Sequence, residues 1–141
     1  MKISSRFTIA IHTLLCILLF EDKKITSNFL AGSINVNPVI IRNILIQLQK
    51  ANIITVKRGT GGISINKKAK DITLLDIFEA VESLDGKLFS FHKKPNPKCL
   101  VGKNITKILE PKLDNIQKVM ENELKKIALK DIFDSLKNNM E

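Results

Sequence analysis

The sequence predicts a mainly α chain with a small β wing: a winged helix-turn-helix domain followed by a long C-terminal dimerisation helix. Three observations carry that prediction. Residues 27–32 and 38–50 read as two helices around a tight turn. The β-branched, roughly alternating runs 53–57 and 63–66 flank Arg58-Gly59-Thr60-Gly61-Gly62, a flexible hairpin tip with a positive charge at its start. Beyond residue 103, Ile105, Ile108, Leu109, Leu113, Ile116, Leu124 and Ile127 keep a three-four spacing over a stretch too long for a small domain to cover.

The first helix is expected over residues 6–20, with Ser4 or Ser5 as its cap. Ile9, His12 or Thr13, Cys16 and Phe20 share one face, and Ile11, Leu14, Leu15 and Leu18 lie beside it, so the helix should be buried centrally. Free amides and the charge of Arg6 at its start suit a phosphate; an ordinary capped helix start fits equally well. Thr26 caps the next helix, Ser33-Ile34-Asn35-Val36 is the turn, and Asn37-Pro38 opens the second helix of the motif. Asn caps the free amides, and Pro at the first helical position loses only an amide that had no partner.

Spacing sorts the faces of that second helix. Ile41, Ile44, Leu45 and Leu48 should pack inward, leaving Val39, Arg42, Asn43, Ile46 and Gln49 on the opposite side. From such a position Arg can make a bidentate contact to guanine and Asn to adenine. On a bare helix a solvated surface is the plainer reading of Arg42 and Asn43. After a helix, a tight turn and an Asn-Pro start, and with a wing following, DNA is the better one. The glycines of the tip let a backbone approach phosphate, and Arg suits a narrow minor groove. The tip lacks the Gly-Lys-Ser/Thr ending of a nucleotide-binding loop and leads into no helix, which excludes that alternative.

Farther on, Thr73 and Asp76 form a capping-box pattern before a helix over 74–83, with Leu75, Ile77, Phe78 and Val81 inward and Asp85-Gly86 as its stop. Residues 87–102 read as a loop, because Pro95-Asn96-Pro97 forbids regular helix. The long helix should run from about 103 to 126, ~36 Å at ~1.5 Å per residue, with a kink or break at Pro111. A partner chain is the economical cover for its stripe, and a symmetric dimer the default; folding back on its own domain is the alternative. A last short helix is expected over 129–136, with Ile132 and Phe133 packing back and a fraying tail after it.

Composition narrows the function. The chain has 141 residues, 44% of them apolar, which suits one compact domain with an appended element and excludes wholesale disorder. A net charge of +9 favours an anionic partner, nucleic acid before a membrane surface, although charge alone fits a merely solvated Lys-rich exterior. The apolar run 7–20 is interrupted by His12 and two Thr, is too short to span a bilayer, and is followed by Glu21-Asp22-Lys23-Lys24 in place of a cleavage site. No membrane partner and a cytoplasmic location are therefore expected. Cys16 and Cys99 are too few for a disulfide scaffold and should be reduced thiols. No nucleophile triad, metal-spaced cluster or paired carboxylates can be placed, so no enzyme and no metal are expected.

The assembled segments resemble the Rrf2 family of bacterial transcription regulators. The likeness lies in Ser5-Arg6-Phe7-Thr8-Ile9-Ala10-Ile11-His12, in Asn35-Val36-Asn37-Pro38-Val39-Ile40-Ile41-Arg42, and most clearly in Val56-Lys57-Arg58-Gly59-Thr60-Gly61-Gly62 followed by Asp71-Ile72-Thr73-Leu74-Leu75-Asp76-Ile77. It implies residues 1–85 as a winged helix-turn-helix domain, 86–102 as a sensor-type loop, and 103–141 as the dimerisation helix and C-terminal helix. It implies a homodimer on a promoter palindrome in double-stranded DNA, usually as a repressor. By position, Asn37, Val39, Arg42 and Asn43 would read or line the major groove. Arg58, Gly59, Thr60 and Gly61 would form the minor-groove wing, and Ser4, Ser5 and Arg6 would touch phosphate.

Iron–sulfur members of that family hold their cluster with three closely spaced cysteines in the loop before the long helix. Here the loop Pro95-Asn96-Pro97-Lys98-Cys99-Leu100-Val101-Gly102 resembles the cluster-free branch, and Cys99 with His92 is no four-ligand set. No cofactor is expected. What remains is an oxidant or small-molecule signal. Cys99 follows Lys98 and lies near Lys93, Lys94 and His92, whose cations would favour the reactive thiolate. Cys16, on an apolar helix, reads first as an inert core residue, with a bridge to Cys99 between subunits as the alternative. Phe89 and Phe91 could line an apolar pocket between the first helix, the loop and the long helix. The competing reading of the whole chain is a protein-assembly module that uses a winged fold without reading DNA.

Overall fold

A computed structural model describes residues 4–57, 59, 62–82 and 86–140. In chain order the elements are α1 (Arg6–Leu19), α2 (Ser27–Ile34), α3 (Pro38–Lys50), β1 (Ile54–Lys57), β2 (Gly62–Ile65), a 3-10 turn at Ala69–Asp71, α4 (Leu74–Val81), α5 (Leu100–Lys125) and α6 (Leu129–Asn138).

The core forms around α1, whose Ala10, Leu14 and Ile17 are buried together with Leu30 of α2, Ile41, Ile44, Leu45 and Leu48 of α3, Ile77 and Val81 of α4, and Ile53, Ile54 and Ile72. The single buried polar side chain among the described residues, Thr13, hydrogen-bonds back to the Ile9 carbonyl at 2.9 Å, so it costs the core no unpaired donor. Phe7 meets Phe78 edge-to-face at 5.4 Å and so ties α1 to α4.

Local chemistry sets the motif at the centre. The Thr26 hydroxyl accepts from the Phe29 amide at 3.1 Å and caps α2. That helix runs two residues farther than the sequence reading, through Ile34, and ends at Asn35 in the left-handed region (φ 63°). The Asn35 and Val36 amides both close on the Ala31 carbonyl, at 2.8 and 3.1 Å, which satisfies the helix end without glycine. Asn37 then caps α3 by accepting from the Val39 amide at 2.8 Å. The chain turns through 115° between α2 and α3, within the range of a helix-turn-helix.

The wing is an antiparallel pair with Ile54 opposite Ile65 and Lys57 opposite Gly62; β1 starts one residue after the expected 53 and still ends at 57, and β2 spans 62–65 where 63–66 was expected. At its base the same register continues: Ile53 accepts from the Asn66 amide at 2.9 Å, and Asn66 Nδ2 donates to Asn52 Oδ1 at 3.1 Å.

The capping box at Thr73 and Asp76 is present and starts α4. Leu74 is buried where Leu75 was expected to be. The helix ends at Val81; Ser83 and Asp85, assigned to its last turn and stop, lie outside the described residues. The long helix starts at Leu100 rather than 103 and passes through Pro111 without a break. Pro111 and Lys107 both face solvent, so the carbonyl that loses its helical donor there can turn to water. At ~1.5 Å per residue α5 is ~39 Å long. Its 26 residues include none that is buried.

The chain then returns. A one-residue bridge pairs Thr73 with Ala128: the Leu74 amide donates to the Ile127 carbonyl at 2.9 Å and the Leu129 amide to the Ile72 carbonyl at 2.7 Å. Leu129 is fully buried, so α6 shares the core of the N-terminal half. The helix continues to Asn138, beyond the expected 136, and Lys137 sits over the Phe133 ring at 4.8 Å instead of fraying. Leu129→Ala should therefore cost about 2–5 kcal/mol of global stability, seen as a lower urea midpoint at unchanged slope. A loss confined to the C-terminal tail, with the core transition unmoved, would show that α6 is only an appendage.

Candidate nucleic-acid interface

The buried stripe of α3 turns its other side outward. Val39 and Ile46 are each 51% exposed at the middle of that side, and Arg42 and Asn43 are exposed beside them. Apolar side chains there suit thymine methyl groups, and the Arg and Asn heads suit guanine and adenine edges. Asn37 is exposed but its carbonyl oxygen is taken up in capping α3.

On the wing side of α3 lies an open recess of about 390 Å³, lined among others by Lys24, Ser27, Arg42, Gln49, Lys57 and Gly59. Its three cations come from three separate segments. None of them pairs with a carboxylate among the described residues. Such a rim has the charge to suit a phosphate backbone lying against α3. Gly59 adopts φ 76° with open space around its Cα, the conformation glycine supplies at a tight tip. Arg58, Thr60 and Gly61, assigned to the minor-groove contact, lie outside the described residues. Lys24 and Ser27 were missed from sequence. Lys24 ends an ordinary-looking charged run, and only folding brings it to the wing, where its Cγ lies 3.4 Å from a Cβ built on Gly62.

At the start of α1, expected to touch phosphate, Ser4 and Arg6 make contacts within the chain. Ser5 occupies the cap position in helical conformation with no side-chain cap bond. Ser4 donates its hydroxyl to the Glu82 carboxylate at 2.9 Å. Arg6 is half-buried and turns inward: its Nε donates to the Val81 carbonyl at 3.4 Å and its Nη2 to Gln47 Oε1. The physical reason is the last turn of α4, whose carbonyls lack helical donors and draw a cation to them.

The Rrf2 family model, described as an iron-dependent transcriptional regulator, matches residues 3–135. The chain belongs to the Rrf2 family. YwnA of Bacillus subtilis (strain 168), named as an HTH-type transcriptional regulator, is 42% identical over 134 residues, covering 95% of this chain and 98% of that protein. A crystal structure described as a DNA binding protein is 39% identical with a TM-score of 0.72, over 91% of this chain and 98% of that one. A transcriptional regulator from Lactobacillus plantarum superposes with a TM-score of 0.81 over 96% of this chain and 91% of that one; at 24% identity it shows the winged fold alone. The protein is thus a DNA-binding transcription regulator and not an enzyme. Among the described residues no single helix is long and apolar enough to cross a membrane.

The family description includes iron, and the donor set of this Rrf2 chain does not fit it. Among the described residues no three of His, Cys, Asp and Glu are grouped to hold a metal ion, and the loop before α5 offers one thiol. Cys99 is exposed at the N-cap of α5. The amides of Gly102 and then Val101 hold its thiol below the ordinary value; the neighbouring lysines, expected to do so, are not the cause. Gly102 makes this fit possible. A Cβ there would stand 2.5 Å from the Asn96 carbonyl oxygen, so the Pro95-Asn96-Pro97 turn lies directly on the first turn of α5.

Cys16 is buried, with its sulfur 3.4 Å from Ser33 Oγ. The expected pocket at Phe89 and Phe91 does not involve α1. It is a gap of about 90 Å³ between the loop and α5, beside Leu113 and Gln117. Gln117 closes it by accepting from the Leu88 amide at 2.7 Å and donating to the Gly86 carbonyl at 2.8 Å.

The two thiols should therefore differ. Cys99 should alkylate at least about tenfold faster than Cys16 in the folded protein, with a rate midpoint below that of an ordinary thiol. The sign follows from the lowered value: thiolate persists as pH falls past the ordinary midpoint. Gly102→Ala should return that midpoint toward the ordinary value. Equal rates at both cysteines would contradict the geometry.

Proposed function

We propose that this Rrf2 regulator is a homodimer that reads a promoter palindrome, acts in the cytoplasm as a repressor, and changes its grip on DNA when Cys99 is oxidised. The observation that carries the reading is the outward side of α3, where Val39, Arg42, Asn43 and Ile46 stand beside a cation-lined recess. The apolar centre and polar flanks match the methyl groups and base edges of a major groove, and the cations match its phosphate walls.

Dimerisation has its own support. Val101, Ile108, Ile116 and Val119 of α5 are all more than half exposed and fall on one side of the helix. A second copy of the same stripe is the cover that symmetry favours. Two recognition helices related by a two-fold axis demand an inverted repeat. A dimer seated on a promoter blocks access by bulk, hence repression.

The redox response rests on the lowered thiol of Cys99 and on its place at the start of α5. A peroxide transfers one oxygen to the thiolate sulfur, its O–O bond breaks, and it leaves as water or alcohol. The new sulfenic group alters the first turn of the helix that joins the two subunits. No iron–sulfur cluster takes part, because one loop thiol and His92 make no ligand set. The exposed Val39 and Ile46 also suit a protein partner, which is the second reading. The unpaired cations around them favour DNA.

Selection of bound duplexes from a random pool, with reduced protein at moderate salt, should enrich an inverted repeat, and sedimentation should give a dimer. Arg42→Ala should weaken the selected site by about 1–3 kcal/mol and relax one base position per half-site. A pool that stays random would favour the assembly reading. For the signal, peroxide should alter DNA affinity in the unmodified protein and leave Cys99→Ser unmoved; an equal response in both would remove Cys99 from the mechanism.

A further inference from the structure

Three groups meet where the start of α1, the C-terminal half of α3 and the end of α4 come together. Arg6 donates from Nε to the Val81 carbonyl at 3.4 Å and from Nη2 to Gln47 Oε1. Gln47 Nε2 donates to the same Val81 carbonyl at 3.4 Å. The three close a ring in which the Gln47 amide uses both its ends. Next to it, Ser4 Oγ donates to Glu82 Oε1 at 2.9 Å. Val81 is buried, and Arg6 and Gln47 are half-buried.

The rest of the seat of α3 is apolar. Ile41, Ile44, Leu45 and Leu48 hold it by burial, which sets depth but has little directional preference. A helix seated by an apolar stripe alone can roll by small amounts at little cost. The ring is directional. It pins Gln47, one turn after Asn43 on the exposed side of α3, to the backbone of α4 through a planar guanidinium fork. Base readout depends on such angles, because bidentate contacts fail with small displacements.

We propose that Arg6 is a positioning residue that fixes the roll of the recognition helix through Gln47, and not a contact to DNA phosphate. The inference rests on the proposal that α3 reads DNA, and it makes the sequence preference depend on a side chain that touches no base.

The test compares Arg6→Gln, Arg6→Lys, Gln47→Leu and the double variant Arg6→Gln/Gln47→Leu. Each is measured for affinity to the selected duplex and to a scrambled one over a range of salt, and for thermal melting without DNA. A positioning role predicts that Arg6→Gln binds the selected duplex about tenfold more weakly, as for one charge-assisted hydrogen bond lost. Its affinity for scrambled DNA and its salt slope should stay as in the unmodified protein. Arg6→Lys should fare no better, because an ammonium cannot span Val81 and Gln47 together. Without DNA, the double variant should melt no lower than the worse single one.

A phosphate contact predicts the opposite: equal losses on both duplexes, a salt slope reduced by about one per subunit, and near-complete rescue by Lys. That pattern, or melting effects that simply add, overturns the proposal. If the unmodified protein prefers no duplex, the DNA reading falls instead. The melting cycle then still decides whether Arg6 and Gln47 act as one unit.

Discussion

The seating of α3 on the core is the constraint on which the rest of the structure depends. Ile41, Ile44 and Leu48 are fully buried, so beyond a small roll the helix cannot turn over without exposing apolar surface worth several kcal/mol at ~25 cal/mol per Å². That burial dictates which residues face outward. Val39, Arg42, Asn43 and Ile46 are available to DNA because the opposite side is not available to anything else. Asn37 and Pro38 start the helix at a defined residue, which fixes the register between the two sides.

Electrostatics then favours one flank of that helix. Lys24 follows α1, Arg42 lies on α3 and Lys57 ends β1, yet the three line one recess. From residue 87 onward four lysines pair with carboxylates, among them Lys87 with Asp114 at 2.8 Å and Lys130 with Asp134 at 2.5 Å. Exposed pairs of that kind contribute little to stability. Their effect is on the field: they offset charge around α5 and α6, whereas residues 23–70, which hold α2, α3 and the wing, carry nine Lys and Arg and no Asp or Glu.

The C-terminal third couples the long helix to the domain in two places. Gln117 and Asp114 of α5 clamp residues 86–88, just after α4, and the Thr73–Ala128 bridge returns the chain so that Leu129 completes the core. Between these anchors α5 keeps an apolar face open to solvent. The helix is thus firmly oriented against its own domain while one side stays free for another molecule. Its start is equally constrained, with Gly102 letting the proline-rich turn lie against the helix and place Cys99 on the free amides.

Much of this was legible from residue types alone. The two-helix motif, the capping box at Thr73 and Asp76, the inward stripe of α3 and the long apolar stripe of α5 are local patterns, and local patterns are written in spacing. The same holds for the readable face: once Ile41, Ile44, Leu45 and Leu48 go inward, Arg42 and Asn43 must go out. Tertiary structure decided what each charged or reactive side chain does. Arg6 reads from sequence as a phosphate ligand because helix starts attract anions; in the fold it also donates to the carbonyl of Val81, seventy-five positions away. Lys24 joins the recess beside α3 only because the chain folds the wing against it. The thiol of Cys99 is lowered by the amides of Gly102 and Val101 and not by the lysines that surround it in sequence. Periodicity follows from burial along one element, whereas a hydrogen bond or a field depends on distances between elements, and those exist only once the chain has packed.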